Sequence, residues 1–264
     1  VSKLCIYHGG CDDGFGAAYA VWKKFGDEFE YHPGIYGKEP PDTTGKEVVM
    51  VDFSYKLEVI ESIIEKCDTL LILDHHKTAE ADLRELIATG RIQGEFDMDR
   101  SGAMMAWQYF HPDTKPPKLI EHIQDRDLWQ FKIPCTKTIS MALRSYDQEF
   151  SVWDELMNKS AELAGEGVAI ERYHRKQIEF TKSCAWMGVI DGHEVPIVNC
   201  PPSMASEVAG ELSEGHPFAA VFWQSDSSRT YSLRSRDKGL DVSEIAKRHG
   251  GGGHRNAAGF KVDI

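Results

Sequence analysis

The sequence contains no C-x-x-C pair. Its six cysteines, Cys5, Cys11, Cys67, Cys135, Cys184 and Cys200, are scattered. That spacing argues against a zinc ribbon or a thioredoxin-like redox site. A disulfide framework is equally unexpected in a chain of 264 residues with no secretion pattern. Several of these cysteines sit in apolar runs and read as small buried hydrophobes. No apolar run approaches the length of a membrane span, so no membrane contact is expected. Basic residues are in short supply, with 30 Lys and Arg against 42 Asp and Glu, a formal net charge of −12. A broad basic surface for long duplex nucleic acid is thereby excluded. A short anionic substrate held by cations and a few arginines is not. There is no internal repeat and no low-complexity tract. The chain enters a strand-like segment directly, without a basic-apolar-small leader pattern, so a cytoplasmic protein is expected.

What is present is an alternation of short apolar runs with amphipathic stretches. Lys3–Tyr7, Glu47–Val51 and Thr69–Leu73 read as buried strands. Gly14–Phe25 and Tyr55–Cys67, the latter capped by Ser54, read as helices, followed by Ala79–Thr89, Ser101–Phe110 and Lys118–Gln124. The predicted class is α/β: residues 1–150 form a domain with a mostly parallel sheet and helices on both faces. Residues 151–183 are charged, helix-favouring and free of proline, and read as a helical linker with its break at Gly165 and Gly167. Residues 184–264 then read as a smaller mixed α/β domain. Its strands are expected at Ala185–Ile190, Val195–Asn199, Phe218–Trp223, Thr230–Ser235 and Gly259–Val262, and its helices at Met204–Leu212 and Val242–Arg248.

The chemistry concentrates where the first strands end. The first strand runs into His8-Gly9-Gly10-Cys11-Asp12-Asp13-Gly14, the second into Asp52, and the third into Asp74-His75-His76. In open α/β sheets, ligands bind beyond the carboxyl ends of the strands. Three successive strands therefore deliver metal-type ligands to one edge. Taken singly, each piece reads as a turn, a cap or a hydrogen-bonded strand end; the convergence carries the argument. Carboxylates with imidazoles and no thiolate cluster suit Mn²⁺ or Mg²⁺, and can hold Zn²⁺. Converging carboxylates repel one another unless cations neutralise them. A pair of such ions also activates water and clamps phosphoryl oxygens.

Three further segments matter. In Ile123-Gln124-Asp125-Arg126-Asp127-Leu128-Trp129, Asp125 or Asp127 could add a ligand and Arg126 could meet a phosphate, or the group could be a surface salt-bridge cluster. The four glycines from Gly250 to Gly253, followed by His254 and Arg255, suggest a nest of N–H groups facing an anion. Arg234 is a phosphate ligand or an exposed strand charge. Trp129, Trp223 and Phe260 are stacking faces or core residues.

Together, His8…Asp12-Asp13-Gly14, Val51-Asp52, Asp74-His75-His76, Asp125 and Gly250-Gly251-Gly252-Gly253-His254 resemble, in order, the motifs of the DHH phosphoesterase superfamily with its DHH-associated C-terminal domain. That family includes RecJ-type exonucleases, oligoribonucleases, cyclic-dinucleotide phosphodiesterases and exopolyphosphatase-related proteins. The resemblance implies a catalytic domain, a linking helix and a substrate-binding domain. It implies metal ligation by His8, the Asp12/Asp13 pair, Asp52, His75 and Asp125, with Asp52 bridging. It makes Asp74 a residue that orients an imidazole, and His76 a phosphate contact or proton donor. It makes Arg234, Gly251, Gly252, Gly253 and His254 substrate contacts. The cofactor implied is Mn²⁺, one ion or two, with Mg²⁺ possible. The activity implied is hydrolysis of a phosphoester in a short oligonucleotide or small nucleotide, with short polyphosphate, or a non-catalytic nucleotide-binding role, as the alternatives. One departure stands out. The family's first motif commonly separates its two Asp by one residue, whereas Asp12 and Asp13 are adjacent here. Counted back from Gly14, Cys11 takes the first carboxylate's place.

Overall fold

The computed structural model describes residues 2–236 and 238–264. The chain divides into two compact units, the first ending at Glu171 and the second running from Arg172 to Ile264.

In the first unit, β1 (Ser2–His8) leads into α1 (Asp12–Phe25), then β2 (Phe29–Gly34), β3 (Lys46–Val51), α2 (Leu57–Ile64), β4 (Thr69–Asp74), α3 (Lys77–Ala88) and β5 (Gln93–Phe96). Helices α4 (Gly102–Phe110), α5 (Lys118–Asp127), α6 (Thr136–Leu143) and α7 (Phe150–Leu156) follow. The five strands pair in parallel in the order β2-β1-β3-β4-β5. Alternation along the strands sorts the side chains between two faces. Leu4, Ile6, Val48, Met50, Leu70 and Ile72 pack with Ile60, Ile63, Leu83 and Leu86 of α2 and α3. Cys5, Val49, Val51 and Leu73 pack on the other face, with residues of α1, α4, α5, α6 and α7. Strands buried on both sides explain the unbroken apolar runs of β1, β3 and β4.

The sequence did not anticipate β2 or β5, which form the two edges of the sheet. β2 carries Pro33, tolerable on an edge strand that has no outer partner. β5, Gln-Gly-Glu-Phe, has no β-branched residue. Ser54 is not the cap of α2: Lys56 holds that position, and the Ser54 hydroxyl donates instead to Asp74 Oδ2 at 2.6 Å. The expected helix break at Gly165 and Gly167 is also displaced, because α8 (Ser160–Ser183) runs straight through both. A Cβ at Gly167 would lie 1.8 Å from the Thr138 carbonyl oxygen, so this glycine serves close packing on α6 rather than a break.

In the second unit, β6 (Trp186–Ile190), β7 (His193–Asn199), α9 (Ala205–Leu212), β8 (Ala219–Ser225), β9 (Ser228–Arg234), α10 (Val242–Arg248), β10 (Gly252–His254) and β11 (Ala257–Asp263) build a mixed sheet. Its order is β10-β11-β9-β8-β7-β6, and only β7 and β8, joined across α9, are parallel. Among the described residues, no helix is long and apolar enough to cross a membrane.

Candidate active site

The strand order of the first sheet reverses between β1 and β3, on either side of which the chain departs in opposite directions. In such sheets that reversal opens a crevice at the carboxyl ends of the strands. His8 ends β1, Asp52 follows β3, and Asp74 ends β4 with His75 and His76 behind it. All five side chains therefore start at one edge.

Asp52 lies at the middle of the group. Its Oδ1 is 3.0 Å from His75 Nε2 and its Oδ2 is 3.4 Å from His8 Nδ1. The residue is 1% exposed, and an imidazole faces each of its oxygens. Its backbone is held at φ +55°. That left-handed conformation is tolerated best by Asp and Asn among residues with a side chain, and costs about 1–3 kcal/mol. His75 Nε2 also faces Asp13 Oδ2 at 3.7 Å and Asp127 Oδ2 at 3.6 Å. Three carboxylates thus surround one imidazole.

Such a group is unstable without positive charge, and the protonation tendencies say how it copes. Burial works against the charge on Asp52, but His75 and His8 outweigh it and hold Asp52 well below the usual carboxylate range. Burial, with the charges of Asp52 and Asp127, pushes Asp13 well above that range. Burial opposes the charged form of His75, yet Asp52, Asp127 and Asp13 together push it up to about 10. The cluster recruits protons to do what a cation does. Donor atoms of Asp13, Asp52 and His75 lie within 4.8 Å of one another, as do those of His8, Asp52 and His76. These oxygen and nitrogen donor sets fit hard or borderline divalent ions such as Mn²⁺ and Mg²⁺.

The adjacent pair Asp12-Asp13 is divided by helix geometry. Successive residues of a helix point about 100° apart. Asp13 turns inward, where it accepts hydrogen bonds from Gly102 N at 2.6 Å and Ala103 N at 3.0 Å at the start of α4. Asp12 turns to the rim and pairs with Arg144 Nε at 3.0 Å, away from the cluster. Of the two acids, the structure brings Asp13 together with Asp52 and His75, and places Asp12 with Arg144. Cys11 lies on the site side, where burial pushes its thiol up to about 11 against the pull of His8. Gly14 is required because a Cβ there would sit 2.2 Å from the His8 carbonyl oxygen.

Asp125 is also placed elsewhere. Its carboxylate accepts from Lys132 N at 2.8 Å, Ile133 N at 3.1 Å and Thr136 Oγ1 at 2.6 Å. It ties down the loop after α5, and Asp127, two residues on, is the acid that reaches His75. Asp74 is fully buried and orients its neighbours. Its Oδ1 accepts from His75 N at 2.7 Å and lies 2.6 Å from His76 Nδ1, while Ser54 donates to its Oδ2. Burial opposes its ionised form, but His76 and Ser54 lower its pKa, so Asp74 acts as an anion gripping the His76 ring.

Tyr36 is a neighbour with no sequence signal. Its ring lies 5.3 Å from that of His8 and 4.8 Å from that of Phe53. Gly102 is another. A Cβ there would lie 2.3 Å from the Asp52 Cβ. Gly102→Ala should therefore destabilise the first unit by about 1–3 kcal/mol through overpacking, although alanine normally favours a helix. Thermal unfolding in chelator reads this directly, and a variant more stable than the parent would refute it.

In the second unit, the first two glycines of the run close a helix. Gly250 N donates to Lys247 O at 3.0 Å and Gly251 N to Ala246 O at 2.8 Å, with Gly250 at φ +78°. This pattern closes the carboxyl end of α10 as a Schellman motif. Gly252 and Gly253 pair with Gly259 and Ala258 of β11, and His254 with Ala257. A Cβ at Gly251 would meet the Gly259 carbonyl oxygen at 2.0 Å. Arg234 donates to Ser232 Oγ at 3.0 Å, Leu233 O at 2.8 Å and Ser206 Oγ at 2.8 Å. Of the three aromatics left open, Phe260 is core at 6% exposed, Trp223 packs against a buried cluster, and Trp129 is 45% exposed.

Residues 195–263 match the model of the DHHA1 domain. The uncharacterized protein R106 of Acanthamoeba polyphaga mimivirus is 31% identical over 284 aligned residues, covering 97% of this chain and 66% of that protein. Oligoribonuclease NrnB of Bacillus subtilis (strain 168) is 28% identical over 222 residues, covering 72% of this chain and 52% of that protein. The chain thus spans about two thirds and about half of the lengths of these curated relatives. Among solved structures, the pGpG-specific phosphodiesterase PggH of Vibrio cholerae aligns with a TM-score of 0.50 and 12% identity, covering 100% of this chain and 94% of that one. At that identity the likeness speaks to the fold alone.

Proposed function

We propose, on the premise that this chain belongs to the DHH phosphoesterase superfamily, that it is a Mn²⁺-dependent hydrolase of phosphoester bonds in a short oligonucleotide or small nucleotide. The observation that carries the proposal is the buried Asp52, set among His8, His75, Asp13 and Asp127, with three carboxylates converging on one imidazole. Carboxylates gathered in this way repel one another unless positive charge neutralises them. The similarity to an oligoribonuclease supports the substrate class.

In this reading Asp13, Asp52, His75 and Asp127 would hold one ion, and the donor atoms of His8, Asp52 and His76 could take a second. Asp52 is common to both groups. Mg²⁺ is the alternative ion. When bound, the ions supply charge for the phosphoryl oxygens and activate water. The protein does the rest. Asp74 fixes the ring of His76, which contacts the phosphate or protonates the leaving oxygen. Arg234 and His254 remain the substrate contacts proposed for the second unit, with the glycine run shaping the backbone that presents His254. The same proposal includes a cytoplasmic setting.

Because ligation needs a neutral imidazole, ion binding must displace the proton that His75 holds up to about pH 10. Mn²⁺ affinity should therefore rise as pH rises from 6 to 8, as calorimetric titration would show; a flat profile would contradict the assignment of His75. The activity itself is tested by incubating the full chain with Mn²⁺ and either a 5′-phosphorylated dinucleotide or tripolyphosphate. Mononucleotide release is expected. Orthophosphate release from tripolyphosphate alone would select a polyphosphatase. Binding with no turnover under any divalent ion would select a non-catalytic nucleotide binder.

A further inference from the structure

Immediately after Asp127, the chain makes a tight loop that displays rather than buries its aromatic residues. Trp129 and Phe131 both have left-handed backbones, at φ +57° and +50°. Their rings meet edge to face at 5.1 Å. The Arg126 guanidinium lies 4.6 Å from the Trp129 ring centroid, and Lys137 Nζ lies 5.0 Å from that of Phe131. Lys132 and Lys137 are exposed, and Trp129 keeps 45% of its surface in water. The loop is anchored from below by Asp125, which binds the amides of Lys132 and Ile133.

A tryptophan serving only the core would be covered. One held in place by a cation on its face, an aromatic edge beside it and a fixed backbone is pre-organised for a flat ligand. The surrounding charge names the ligand further. Two cations lie against these rings, Arg126 and Lys137, in a chain whose net charge is −12, so the complementary ligand is an anion. Two residues of chain reach no more than about 7 Å, which keeps Trp129 close to the carboxylate of Asp127 in the candidate metal centre. A nucleotide whose phosphate lies at that centre has its base within one nucleotide length of this loop.

We propose that Trp129, backed by Arg126 and flanked by Phe131, is a stacking platform for a nucleobase of the substrate, with Lys132 and Lys137 drawing its backbone. This deepens the hydrolase reading above and rests on it for the position of the phosphate. It selects nucleotides over polyphosphate, because a chain of phosphates offers no face to stack. Base–aromatic stacking tolerates any base, so the platform sets substrate class rather than sequence.

The test is calorimetric binding to the full chain, which needs no turnover. The ligands are a 5′-phosphorylated dinucleotide and the same molecule lacking one base. The parent protein should bind the complete dinucleotide more tightly. Trp129→Ala should weaken that binding by at least about fivefold, the lower end of what loss of a base stack costs, and leave the abasic ligand unchanged. Trp129→Phe should recover most of the difference. Unchanged binding of both ligands by Trp129→Ala, or equal weakening of both, would overturn the platform. Base-dependent binding with no hydrolysis under any divalent ion would support the platform while sinking the hydrolase reading alone.

Discussion

Asp52→Asn should lower phosphodiester hydrolysis by more than about 100-fold and abolish tight binding of Mn²⁺. Loss of a group that merely supports a metal ligand typically costs 10–100-fold. Asp52 is closer to the chemistry than that, since its two oxygens face His75 and His8 on opposite sides. The amide is isosteric, so no cavity opens and the fold should persist; circular dichroism provides the control. The loss is expected in both activity and ion content, because one residue serves both donor sets. A variant that retained parental activity, or that bound Mn²⁺ normally, would disprove the sharing of Asp52.

The second large effect separates two acids that stand two residues apart. Asp127→Ala should reduce activity by more than about tenfold with little change in unfolding temperature, since its carboxylate faces His75 at 3.6 Å from a partly exposed position. Asp125→Ala should do the reverse. It strands the amides of Lys132 and Ile133, both now bonded to the Asp125 carboxylate, and leaves the Thr136 hydroxyl with His122 Nδ1 alone. Buried donors left without acceptors cost about 1–3 kcal/mol each, though some will find water. A net loss of about 3 kcal/mol would lower the midpoint of the first unit by about 6–12 °C. Thermal unfolding and steady-state kinetics on the two variants distinguish the roles. Equal effects on both quantities would show that the loop and the centre cannot be treated separately.

This pair also marks where sequence reading stopped. Asp125 and Asp127 are about 200° apart on a helix, so only one can face a given side, and Gln-Asp-Arg-Asp carries no sign of which. The same ambiguity surrounded Asp12 and Asp13, and again the helix rotation decided. By contrast, His8, Asp52 and Asp74-His75-His76 were legible because each follows an apolar strand, and parallel strands bring such ends to one edge. The strands themselves were legible where burial on both faces left an unbroken apolar run. β2 and β5 were not, since edge strands need no such run, and β2 accommodates Pro33. The four glycines drew a phosphate reading because a glycine run suggests a nest. Lys247-Arg248 just before the run was the competing signal of a helix end capped by glycine, and the hydrogen bonds of Gly250 and Gly251 follow it. Tyr36 had no signal in residue type or spacing, and residue type left Trp129 open between a stacking face and a core residue. Both depend on where loops come to rest.

The central claim is that the carboxylates around His75 form a cation site. Crystals of the full chain equilibrated with Mn²⁺ would test it most directly through the anomalous scattering of the ion. The account predicts a strong peak within coordination distance of Asp13, Asp52 and His75, with Asp127 closing on it and Asp125 remaining on its loop amides. A Mn²⁺-equilibrated crystal with no peak at Asp52, or with peaks only elsewhere, would contradict it.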